Sequence, residues 1–130
     1  MVAIRAEISP GELIDKITIL QIKAERISDA DKLPSIEFAL STLQSTLGEE
    51  VPASDELERL SSELKTVNER LWVIEDDIRD CEREKDFGPK FIELARSVYR
   101  TNDVRAALKR RIDEHLGSQL VEQKSYQEYE

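Results

Sequence analysis

Eight apolar residues, Leu57, Leu60, Leu64, Val67, Leu71, Ile74, Ile78 and Cys81, follow one another at alternating spacings of three and four without a break. Residues at that spacing stay on one slowly rotating face of an α-helix, and such a stripe is buried only when a second helix lies along it. Sustained over more than three heptads, it predicts a helix from about residue 55 to 86, on the order of 45 Å long at the standard rise. Asp86-Phe87-Gly88-Pro89 then interrupts the period. A turn this short sends the next helix back antiparallel along the first. The returning helix, about 89–116, carries Phe91, Leu94, Ala95 and Val98, then Leu108, Ile112 and Leu116, before Gly117 offers a left-handed cap.

The other glycines and prolines punctuate the N-terminal half. Ser9-Pro10-Gly11-Glu12 reads as a capping box, with Ser9 at the N-cap, Pro10 at the first helical position and Glu12 reaching back; Ile8 and Leu13 form a hydrophobic staple. The helix that follows, about 10–28, places Leu13, Ile17, Leu20, Ala24 and Ile27 on one face and Ile19 and Ile22 on nearly the opposite one. A helix apolar on two sides lies between two layers, and a second subunit is one candidate for the second layer. Pro34 opens a further helix, about 34–47, with the stripe Ile36, Leu40, Leu43 and Leu47 and Gly48 as its cap. The fold expected is all-α: an antiparallel helical bundle with one long helical hairpin and two shorter N-terminal helices. It forms a single domain over residues 1–117, with 118–130 as a C-terminal tail. Val2 to Ile8 alternates like a strand, which would need a partner from another copy.

Charge and cysteine content narrow the function classes. Nineteen Lys and Arg stand against 28 Asp and Glu, a net charge of −9. That balance disfavours nucleic acid, whose phosphates require a basic footprint. The excess acid is concentrated in residues 49–88, with 6 basic and 14 acidic side chains, whereas residues 89–116 have 7 basic and 4 acidic. An acidic helix beside a basic one suggests charges that hold the hairpin in register. The one cluster of cations, Arg105, Lys109, Arg110 and Arg111, has no interleaved aromatic and is followed by Asp113 and Glu114. It fits the negative end of a helix better than a nucleic acid. One Cys and one His exclude an intrachain disulfide and a Cys/His zinc site, so no metal and no cofactor is expected. No apolar leader or 18-residue apolar run occurs, which predicts a soluble cytoplasmic protein with no membrane partner.

Candidate chemistry lies on the facing sides of the helices. Cys81 occupies a core position of the heptad stripe and is expected to behave as a small buried hydrophobe. If opposed residue numbers in the hairpin sum to about 175, His115 lies beside Leu60, far from Cys81. Glu75 and Arg79, four residues apart, have the favourable orientation for a helical ion pair, and the same register puts Glu75 near Arg100 and Arg79 near Arg96. The acidic run Glu75 to Glu82 contains no Glu-x-x-His of the di-metal carboxylate kind, and Ala53 interrupts the Glu-Glu-x-x-Glu of the all-α nucleotide pyrophosphatases. It reads as a solvated face with partners on the last helix. If that helix is continuous, Asn102, Arg105 and Lys109 share the face of Phe91, Ala95 and Val98. Such buried polar groups form either a structural network or an anion site. If instead the helix restarts at Thr101-Asn102-Asp103, Val104, Leu108 and Ile112 take over the core. On the first helix Lys16 and Lys23 lie between the two apolar faces, where cations snorkel, pair or grip an anion. The candidate ligand-binding set is therefore Lys16, Lys23, Glu75, Arg79, Asn102, Arg105 and Lys109.

The stretches Ser9 to Lys23, Leu71 to Arg79 and Phe91 to Ala106, together with Gly117-Ser118 and Lys124-Ser125-Tyr126, resemble an uncharacterised bacterial family of short helical proteins, a domain of unknown function. The resemblance spans most of the chain and implies neither an activity nor catalytic residues. A second similarity is to the all-helical chorismate mutases, whose intertwined helices grip a dicarboxylate with cations; here the first helix is too short and their Arg-x-x-Ile-Asp-x-Ile-Asp type opening is missing. Two functional readings follow. The first is a homodimeric helical-bundle interaction or regulatory protein with a possible protein partner, from the two-faced first helix and the girdle Leu71-Trp72-Val73-Ile74. The alternative is a small-anion (carboxylate or phosphate) binding protein or enzyme with a cationic site between helices.

Overall fold

In the computed structural model, which describes residues 2–118, the order is α1 (Pro10–Arg26), α2 (Leu33–Glu50), α3 (Asp55–Glu84) and α4 (Pro89–His115). The all-α architecture expected from the sequence is present, and α3 and α4 form the long antiparallel hairpin. Ser9 caps α1, its Oγ accepting the Glu12 N–H at 3.2 Å, and Ser54 caps α3 by accepting the Leu57 N–H at 3.1 Å. Each satisfies one of the orphan donors of a first turn. The Glu12 carboxylate is drawn to Lys109 and Lys16 instead of completing the capping box.

The helix ends show which punctuation acts. α1 stops at Arg26, because Ile27 is already extended. α2 runs straight through Gly48 and stops at Val51, also extended (φ −125°, ψ 125°). Pro52 is the cause: its ring excludes the residue before it from the helical region. Gly117, at φ 66°, does end α4, and the Ser118 and Gly117 N–H groups bond back to the Asp113 and Glu114 carbonyls in the Schellman pattern. At the end of α3 the left-handed position is taken by Lys85, at φ 57°, with the Asp86 N–H donating to the Cys81 carbonyl at 2.9 Å. A non-glycine residue there costs about 1 kcal/mol. Lys85→Gly is therefore expected to raise the urea midpoint by an amount equivalent to about 1 kcal/mol; an unchanged or lower midpoint would contradict it.

α4 is unbroken through Thr101-Asn102-Asp103, so the restart does not occur. Those residues are weak helix formers, each costing at most about 0.7 kcal/mol relative to Ala, and with no Gly or Pro among them the packed helix carries through. The proximal part of the hairpin holds the core, where Leu57, Leu60, Leu64 and Val67 of α3 and Leu108 and Ile112 of α4 pack with Ile14 of α1. α1 runs across this part rather than along it. Glu12 reaches Lys109 and Asp15 reaches Arg105 on α4, while ten residues further on Glu25 pairs with Lys65 on α3. α2 then lies on α1. The second layer against α1 is thus this chain's own α2, and the two-faced helix does not by itself require another subunit.

Beyond α1 the hairpin projects alone. From Glu69 to Ala107 only Cys81 is fully buried, as its heptad position implied. Val67 and Arg70 of α3 line one recess with Leu108 and Val104 of α4, as opposed numbers summing to about 175 require, and at the open end His115 Nε2 reaches Ser54 Oγ at 3.2 Å. Arg79 pairs with Glu75, Arg83 with Asp80, and Arg96 and Arg100 both with Glu93, each within its own helix. Long side chains find partners one or two turns away on the same helix at less conformational cost than across a seam filled by Leu71, Ile74 and Ile78. Residues 2–8 form no regular element, and Val2 and Ile4 are largely exposed; within the single chain the alternating segment has no strand to pair with. The expected tail, 118–130, lies outside the described residues apart from Ser118.

Candidate functional site

The chemistry concentrates where α1 crosses α4. Gly11 is pressed so closely on α4 that a Cβ there would lie 2.4 Å from the Lys109 carbonyl oxygen. Its N–H donates to Asp113 Oδ1 at 2.7 Å. A fully buried carboxylate thus receives the first turn of α1, the helix end that favours negative charge. One turn on, Asp15 is 1% exposed. Its Oδ1 accepts from Asn68 Nδ2 and from Arg105 Nε, each at 2.9 Å, and its Oδ2 accepts from Arg105 Nη2 at 2.5 Å. Asn68 also donates to Thr18 Oγ1 at 2.9 Å, and that hydroxyl donates to the Asp15 carbonyl at 2.8 Å. Lys109 Nζ, almost fully buried, lies 2.7 Å from Glu12 Oε2.

These partners move the acids in a definite direction. Burial pushes the Asp15 carboxyl up, but the hydrogen bonds from Arg105 and Asn68 and the charges of Arg105 and Lys109 outweigh it and hold the group below its ordinary value. Glu12 is likewise held low, chiefly by its hydrogen bond from Lys109, against a smaller desolvation effect. At neutral pH both are carboxylates facing cations.

Beside this network a cleft of about 350 Å³ opens between α1, α3 and α4. Ile19, Ile22, Leu71 and Trp72 give it an apolar wall, while Asn68, Asn102 and Arg105 border it from the network side. Glu75, Asp76 and Arg79 complete the lining. The structure therefore brings together four residues singled out in the sequence, Glu75, Arg79, Asn102 and Arg105. It places the other three elsewhere: Lys16 is exposed and 3.5 Å from Glu12, Lys23 is half-buried in the last turn of α1, and Lys109 is committed to Glu12.

Sequence reasoning missed Asp15, Asn68 and Asp113 as members of the network. A signal for Asp15 was present, since Gly11, Asp15, Thr18 and Ile22 repeat at spacings of four, three and four. A search for apolar periodicity passes over a stripe whose middle is polar. Asn68 follows the heptad residue Val67 and carries no local mark of burial. Among the described residues no group of three or more His, Cys, Asp or Glu is arranged to hold a metal ion, and no helix is long and apolar enough to cross a membrane.

No curated protein and no solved structure matches the chain. The model of a family of unknown function, DUF6165, matches residues 4–129, and on that nearly full-length match the chain belongs to this family.

Proposed function

We propose that this protein acts as a homodimeric helical interaction module, with the projecting half of the α3/α4 hairpin as its contact surface. The observation that carries this reading is the unfinished core of that half. Ile74, Ile78, Leu94 and Val98 remain half-buried, and Val73, Phe87 and Ile92 are 46%, 51% and 54% exposed. A two-helix hairpin has too few neighbours to bury such a seam, whereas two hairpins packed together make a four-helix bundle. Charge favours a second copy as the occupant. Residues 69–84 of α3 carry 7 acidic and 3 basic side chains, and residues 89–105 of α4 carry 4 basic and 2 acidic. A two-fold axis sets α3 of one protomer against α4 of its partner, so the acidic face meets the basic one twice.

Sedimentation equilibrium at micromolar concentration tests this directly. The expected mass is twice the 14.9 kDa of the chain. The double variant Val73→Asp, Ile92→Asp should sediment as a monomer of unchanged helicity. A monomeric wild-type protein at tens of micromolar, or a dimer indifferent to both substitutions, would overturn the reading.

A further inference from the structure

We infer that the cleft between α1, α3 and α4 is a binding site for a small zwitterion with an apolar body, the class to which apolar α-amino acids belong. The cleft lies within a single chain, so the inference stands or falls separately from dimerisation. At about 350 Å³ it falls at the lower end of the range of ligand pockets, which suits a molecule of amino-acid size. One wall, formed by Ile19, Ile22, Leu71 and Trp72, offers a dry surface to an aliphatic or aromatic group.

The polar lining decides the charge type of the ligand. It presents two carboxylates, Glu75 and Asp76, and two guanidinium groups, Arg79 and Arg105. Asp15 behind Arg105 offsets one of the positive charges. A bare anion therefore meets more negative than positive charge, and a bare cation meets arginines at close range. A ligand carrying both an ammonium and a carboxylate matches both sets, the ammonium on Glu75 and Asp76 and the carboxylate on Arg79, Arg105 and the Asn102 amide. Rigidity supports the same conclusion. Two hydrogen bonds to Asp15 hold the Arg105 guanidinium in one plane at the edge of the cleft, and Asn68 holds Asp15 in turn. A recognition group fixed before the ligand arrives loses little freedom on binding.

Trp72 is the one tryptophan of the chain, so its fluorescence reports on this cleft alone. The probe set is L-leucine, 4-methylpentanoate, which lacks the ammonium, and 3-methylbutylamine, which lacks the carboxylate. L-leucine is expected to shift Trp72 emission saturably in the millimolar range, and each half-analogue to bind about tenfold more weakly or worse. Arg79→Ala and Glu75→Gln should each weaken L-leucine by a similar factor. Arg79 is largely exposed and Glu75 about half so, and an unchanged thermal midpoint will show that the fold is intact. Equal binding of 4-methylpentanoate would overturn the zwitterion in favour of a plain anion site. Absence of any saturable change with leucine, phenylalanine or valine would overturn the site altogether, as would a response that persists in both variants.

Discussion

Gly11→Ala is expected to destabilise the protein by about 3 kcal/mol or more, the largest effect of a methyl added at any of the four glycines. The added Cβ would stand 2.4 Å from the Lys109 carbonyl oxygen and 2.9 Å from Asp113 Oδ1. The first obstacle is backbone in the middle of α4 and cannot swing aside. α1 must retreat, and the Gly11 N–H then loses the buried Asp113 carboxylate, which adds the cost of two polar groups left without each other. Chemical denaturation followed by circular dichroism measures this. Gly48→Ala, at a helical position with nothing within 4 Å of the new Cβ, serves as a control and should be neutral or slightly stabilising. A loss of less than about 1 kcal/mol at Gly11 would show that the close approach of α1 to α4 is not rigid.

Removal of the Asp15 carboxylate should be comparably damaging. Asp15→Ala leaves the Asn68 amide buried and removes the carboxylate that holds the Arg105 guanidinium, and breaking such a pair costs about 3–5 kcal/mol when fully buried. Because Arg105 keeps partial access to water, the lower end, about 3 kcal/mol, is expected. The same pair sets an acid dependence. The folded protein holds the Asp15 and Glu12 carboxyls below their ordinary values, so the unfolded chain takes up protons first as the pH falls. Their stabilisation is complete above the unfolded carboxyl range, roughly pH 4, and drains away as the pH drops through the lower folded values. Stability should therefore decline with a steep slope below about pH 4, and Asp15→Asn should flatten that slope. Parallel slopes in wild type and Asp15→Asn would show that the ionic pair contributes nothing to acid sensitivity.

Much of the site was half legible before folding. Arg105 and Lys109 drew attention because cations at core-facing positions need partners, and the structure supplies them. The identity of the partners was hidden, because Glu12 and Asp15 come from a helix nearly a hundred residues away and their polarity disguises the buried face of α1. The four-residue spacing of Glu75 and Arg79 was legible as a helical ion pair, and the two do pair, at 3.8 Å.

The sequence by itself determined the four helices, the hairpin and the caps at Ser9 and Gly117, because periodicity, turn length and capping act over a few residues at a time. It did not determine where α1 would cross. Only tertiary packing decided that α1 lies over the proximal half of the hairpin, with α2 as its second layer, since that choice depends on Gly11 meeting α4 backbone and Asp15 meeting Arg105. From that crossing follow both the ligand-sized cleft beside Trp72 and the uncovered distal hairpin. A 17-residue helix, about 25 Å long and laid across its neighbours, cannot cover a 30-residue one.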